Sequence, residues 1–170
     1  MKKIIFLSTL ITGIFLISCE KDEIGGTVTE SMAGEWYVTA DAMNADGSTY
    51  GEDLFEIGHF LIATYNTTAN NGSEIWVDDC KNFWDFKVKA KTDLSTLTFS
   101  VTDAENEYYD CQVTVFDGKI LSEAATTPSG MPADSIVFKI TFSDDTYTTD
   151  YGFDHYKISG YRYTGFINDN

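Results

Sequence analysis

Gly34-Glu35-Trp36-Tyr37-Val38-Thr39-Ala40-Asp41-Ala42 sets the pattern from which the rest of the chain can be read. Trp36, Val38, Ala40 and Ala42 alternate with Tyr37, Thr39 and Asp41, the period of a strand with one face buried and one in water. Near the far end, Gly160-Tyr161-Arg162 lies in a comparable stretch, where Arg162 shares a face with Ile158 and Phe166. Trp36 and Arg162 are both expected to point inward. A guanidinium over an indole face gains ~0.5–2 kcal/mol, enough to help close the floor of a barrel. The plainer alternative makes Trp36 a core tryptophan and Arg162 an exposed strand residue.

The same period recurs between these ends. Trp84, Phe86, Val88 and Ala90 form one alternating set, and Leu97, Phe99 and Val101 a second. Cys111, Val113 and Val115 form a third, and Ile136, Phe138, Ile140 and Phe142 a fourth. Residues 54–62, apolar on both faces near their end, read as a buried strand that includes His59, and Ile75-Trp76-Val77 as a short one. Asn44-Ala45-Asp46-Gly47, Asn70-Asn71-Gly72, Thr92-Asp93, Asp103-Ala104-Glu105-Asn106, Asp117-Gly118 and Asp144-Asp145 punctuate them as turns. Both prolines, Pro128 and Pro132, fall in one loop, 126–134. No long amphipathic helix is visible. About eight short strands with tight turns give an all-β fold, a sandwich or a closed barrel. Gly-x-Trp early and Arg late resemble the closure of lipocalins and other calycins, which favours an antiparallel up-and-down barrel.

Met1-Lys2-Lys3 precedes an apolar run over 4–17 that is too short for a membrane span of ~20 residues. It reads as a secretory signal peptide. Its exit, Leu16-Ile17-Ser18-Cys19, resembles a bacterial lipobox, which implies cleavage before Cys19 and acylation of that residue. Two or more acyl chains suffice for stable anchoring, at ~0.8 kcal/mol per buried methylene. An incidental Cys19 in an ordinary secreted protein is the alternative. The expected organisation is a signal peptide over 1–18, an acidic and Gly-containing linker over 19–31, and one β-barrel domain over 32–170. Lys21-Asp22-Glu23 resembles the surface-export signal of Bacteroidetes lipoproteins, although a solvated tether reads the same way. The expected location is the outer membrane, displayed at the cell surface or otherwise on the periplasmic face.

Formal charge is −16, from 27 Asp and Glu against 11 Lys and Arg. Such acidity excludes nucleic acid as a partner and disfavours adsorption on anionic headgroups. Protein partners are not indicated. An oxidising compartment permits a Cys80–Cys111 disulfide, but two separate thiols are equally compatible with the spacing.

Four blocks resemble the Bacteroidetes family described as lipid-binding putative hydrolases: 65–70, 82–89, 126–135 and 159–166. The resemblance runs over most of 32–168. It implies a lipocalin-like barrel and a lipid or other small apolar ligand, and it hands over no catalytic residue. The residues themselves offer little chemistry. No Gly-x-Ser-x-Gly elbow, His-Glu-x-x-His or zinc-spaced cysteine set occurs, so neither metal nor cofactor is expected. His59 reads as a core histidine. Asp154-His155 is the first pair to test for hydrolase chemistry, with a solvated turn as the alternative. Strand neighbours face opposite ways, so neither Asp78-Asp79 nor Asp144-Asp145 can alone form a glycosidase-type pair of facing carboxylates, and both read as solvated turns. Trp84, Phe86, Phe99, Phe138 and Phe142 are the ligand-binding candidates. A barrel of this size is either filled by such residues or holds one small ligand. A membrane-anchored binding module, a hydrolase on the same scaffold and a structural lipoprotein with a filled barrel all remain open.

Overall fold

The computed structural model describes residues 25–169, so the leader and Cys19 lie outside the described residues. Nine strands follow in chain order: β1 (Gly34–Met43), β2 (Thr49–Gly51), β3 (Phe60–Asn66), β4 (Glu74–Asp78), β5 (Lys87–Asp93), β6 (Thr98–Glu105), β7 (Gln112–Thr126), β8 (Pro132–Phe142) and β9 (His155–Arg162). All pairings are antiparallel, and from β3 to β9 each strand pairs with the next. β1 pairs with β3 on one side and with β9 on the other, from Trp36↔Arg162 to Met43↔His155. The result is a closed up-and-down barrel of eight strands. The short β2 hangs on the end of β1.

Alternation explains which side chains fill it. In β1, Trp36, Val38, Ala40 and Ala42 are buried while Glu35 is exposed. Ile136, Phe138, Ile140 and Phe142 do the same in β8. Trp36, Phe86, Phe138, Ile62, Ile75 and Ile158 are wholly excluded from water, so the interior between the ends is packed with side chains.

Several local expectations are corrected. Asp117-Gly118 is no hairpin turn: β7 runs straight through it, with Asp117 at φ +53° and a register shift between Phe116 and Lys119. A bulge and a tight turn need the same left-handed backbone, so the dipeptide serves either. Asp103-Ala104-Glu105 continues β6, and the chain turns only at 106–111. Leu97 sits in a turn at φ +53°. Residues 54–59 form no strand, and β3 begins at Phe60. Trp84 belongs to a loop, because Asp85 at φ +49° breaks the extended backbone before β5 starts.

Candidate functional site

The two ends of the barrel differ in chemistry. The floor, where the chain enters β1, is shut. The 3-10 turn Glu30–Met32 lies under it with Met32 wholly buried. Trp36 Nε1 donates to Thr64 Oγ1 (2.8 Å), which donates to the Met32 carbonyl (2.6 Å). Arg162 Cζ stands 4.4 Å from the centre of the Trp36 ring system, and its Nη1 donates to the Ala33 carbonyl at 2.7 Å. Gly34 leaves room for this guanidinium, since a Cβ there would sit 2.1 Å from Arg162 Nη1.

Three loops, 52–59, 79–86 and 143–154, build the aromatic part of the mouth, and the 106–111 turn between β6 and β7 borders it. Asp79 shapes the second. Its carboxylate is wholly buried and accepts backbone N–H bonds from Lys81, Phe83, Trp84 and Phe86, at 2.8–3.1 Å. Burial pushes this carboxyl above its ordinary range, and the four N–H groups pull against that. The loop so fixed presents Phe83 and Trp84. Trp84 stacks on Phe142 (4.8 Å, 10° between planes) and Phe83 on Phe60 (5.6 Å, 12°). Tyr147 from the third loop meets Trp84 edge-on at 5.9 Å and Phe55 at 5.0 Å. An open cleft of about 240 Å³ lies among Phe55, Ile57, Phe83, Trp84 and Tyr147.

Asp144 holds the rim. It accepts from Tyr109 Oη (2.8 Å), Trp84 Nε1 (3.3 Å) and the Cys111 thiol (3.0 Å). Partial burial pushes its carboxyl up, but these donors more than reverse that, so it sits below its ordinary range.

Of the five aromatic candidates, Trp84 lines the cleft and Phe142 stacks beneath it, while Phe86, Phe99 and Phe138 belong to the packed interior. The alternating pattern selected core-facing aromatics. Phe55, Ile57, Phe83 and Tyr147 sit in non-periodic loops and carried no such signal. The paired acids Asp78-Asp79 and Asp144-Asp145 were the available cue. Asp144 does lie exposed in a turn, but the reading of Asp78-Asp79 as a solvated turn is corrected: both are buried, and Asp78 accepts from both Tyr65 Oη and Tyr108 Oη at 2.7 Å.

Cys80 and Cys111 are free thiols, which corrects the disulfide alternative. Cys80 Sγ faces the Asp78 carbonyl at 3.8 Å, and Cys111 Sγ faces Asp144. His59 is exposed and stacks on Tyr37 at 5.1 Å, so it is not a core histidine. His155 opens β9 rather than a turn and is buried. Its Nδ1 lies 2.8 Å from Asp154 Oδ2, but its Nε2 is buried with no hydrogen-bond partner. Among the described residues, no group of three His, Cys, Asp or Glu is placed to hold a metal ion.

A larger open groove, about 520 Å³, crosses the outer wall over β5, β6 and β7, between Lys91, Asp93, Ser100, Asp117 and Lys119. It reaches one aromatic ring, Phe99, against four in the mouth cleft. The mouth is therefore the stronger candidate for an apolar ligand.

A closed eight-stranded antiparallel barrel, shut at one end and aromatic at the other, places the chain in the class of small antiparallel β-barrels. The chain belongs to the family described as lipid-binding putative hydrolase, whose family model matches residues 21–167. Comparison with the curated proteins gives no match.

Proposed function

We propose that the protein is a lipoprotein, anchored in the outer membrane through acylated Cys19 and displayed at the cell surface, that grips one end of a lipid-like amphiphile in its aromatic mouth. The observation that carries the binding reading is the cleft among Phe55, Ile57, Phe83, Trp84 and Tyr147. Burying apolar surface there is worth ~0.8 kcal/mol per methylene. At about 240 Å³ it falls just under the ~300 Å³ at which pockets for drug-sized ligands begin. It therefore suits one end of a molecule rather than a whole one, in keeping with an interior already filled by side chains.

The anchor and the mouth belong to opposite ends. Val28 N donates to Asn70 Oδ1 in the β3–β4 turn, so the chain approaches β1 along the floor. The few residues from Cys19 to Gly25 can span at most about 20 Å. An anchored barrel therefore keeps its floor toward the bilayer and its mouth away from it.

Two measurements test this reading. Dodecyl maltoside, dodecanoate and dodecyltrimethylammonium are each titrated below their micelle concentrations. At least one is expected to raise the melting temperature, by about 5–10 °C at a hundred times Kd. Ile57→Asp places a charge on the cleft wall at a side chain already 38 % exposed, and is expected to cancel the rise without lowering the ligand-free value. Three amphiphiles without effect would end the binding reading. For the anchor, Cys19→Ser is expected to move the protein from the membrane fraction to the soluble one. Unchanged partition would end the lipoprotein reading.

A further inference from the structure

The polar groups around the mouth have a sign. Loops 52–59, 79–86 and 143–154 together carry nine Asp or Glu and a single Lys. Beneath the cleft, Tyr156 is 1 % exposed, and its ring lies 5.3 Å from Phe83, 5.7 Å from Trp84 and 6.0 Å from Phe55. Its Oη and Asp145 Oδ2 are both buried and meet no third partner, and the phenol and the carboxylate are near enough to interact with each other. Asp145 is held beside the cleft by its other oxygen, which accepts the N–H of Tyr147 at 2.7 Å. Burial, then the charge of Asp145 and a hydrogen bond to it, push the ionisation of Tyr156 well upward, so the phenol stays neutral.

The rings around the cleft are tilted against one another. Trp84 and Tyr147 stand at 89° to one another, and Phe55 and Tyr147 at 60°. Differently tilted aromatic faces around a small space attract a cation through their quadrupoles, and a nearby carboxylate adds to that attraction. An anionic head would meet the opposite on every side.

We propose that the end of the amphiphile held in the mouth is an ammonium group, met by the rings of Trp84, Tyr147 and Phe55 and countered by Asp145. The site then selects amino- or quaternary-ammonium-bearing amphiphiles over fatty acids. This rests on the mouth being the binding site, as proposed above, and it adds the chemistry of the head.

The test is isothermal titration of the full chain with dodecyltrimethylammonium and with dodecanoate at pH 7, dodecyl maltoside serving as the uncharged reference. The cationic head is expected to bind at least about tenfold more tightly than the anionic one. Asp145→Asn is expected to collapse that ratio. Tyr147→Leu keeps an apolar wall but loses a ring at a side chain that is 42 % exposed, and is expected to reduce the ratio without disturbing folding. Asp117→Asn removes the same charge from the outer wall and is expected to leave the ratio intact. Equal affinities for the two heads would overturn the proposal. So would a ratio unchanged in Tyr147→Leu, or lost as fully in Asp117→Asn as in Asp145→Asn, since attraction would then belong to the net charge alone. If none of the three amphiphiles binds, the mouth reading itself falls. If they bind without regard to the head, only the ammonium assignment does.

Discussion

Asp79→Ala is expected to lose about 3–5 kcal/mol of folding stability, a large effect for one acidic residue in a chain of net charge −16. The reason is the array its carboxylate serves. Oδ1 takes the N–H groups of Lys81 and Phe86, and Oδ2 those of Phe83 and Trp84. A buried donor left without a partner costs about 1–3 kcal/mol. The sum over four is an upper limit, because a loop that opens lets water reach some of them. Asp79→Asn keeps one acceptor oxygen and turns two N–H donors against whichever pair the amide nitrogen faces, so it is expected to fall between wild type and Asp79→Ala. Urea unfolding measures both. The loss should come with a changed Trp84 environment, seen in fluorescence, and with weakened amphiphile binding, since this loop presents Phe83 and Trp84. A drop below about 1 kcal/mol for Asp79→Ala would mean that the backbone of 79–86 holds its shape without the carboxylate.

That residue also marks the limit of what can be read without coordinates. Strand alternation repeats over many positions and is set by burial on one face, so β1 and β8 were legible, as was closure of the barrel from Trp36 and Arg162 at the two ends. Loops carry no period. Residues 54–62 are apolar because Phe55 and Ile57 line a cleft, yet an apolar run of that length also fits a buried strand. The alternation ending at Ala90 extends back through Phe86 to Trp84, and only the left-handed backbone of Asp85 shows where it stops meaning a strand. Adjacent acids suggest solvent because a lone buried carboxylate is costly. Four converging N–H groups remove that cost for Asp79, and their convergence is a property of the folded loop. The candidate site was therefore half visible: Trp84 and Phe142 through their place beside strand patterns, but Phe55, Phe83, Tyr147 and Asp145 only in the fold.

At the opposite end, Trp36→Ala is expected to cost about 3–5 kcal/mol, and Arg162→Ala clearly less, about 1–2 kcal/mol. The two residues touch, so the asymmetry needs a cause. Trp36 is wholly buried, and its removal opens a cavity in a region where every neighbour is already packed; Thr64 and Met32 are fixed by their own hydrogen bond and cannot collapse freely into the space. The Arg162 side chain is about one-third exposed, and its ion pair with Asp134 (3.1 Å) is comparably open to water. Exposed pairs contribute ~0–1 kcal/mol, which leaves the indole contact and the bond to the Ala33 carbonyl as its main terms. Backbone closure does not depend on the guanidinium either. The β1–β9 ladder runs for eight residue pairs, and at Gly160 it brings the strands so close that a Cβ would stand 2.1 Å from the Tyr37 carbonyl oxygen. Arg162 therefore caps a seam that strand pairing has already made, whereas Trp36 fills the space the seam encloses. Thermal and urea unfolding of the two alanine variants, with the double variant to complete the cycle, decide it. Equal losses would assign the closure to the cation–aromatic contact, and a coupling energy near zero would show that the contact contributes nothing.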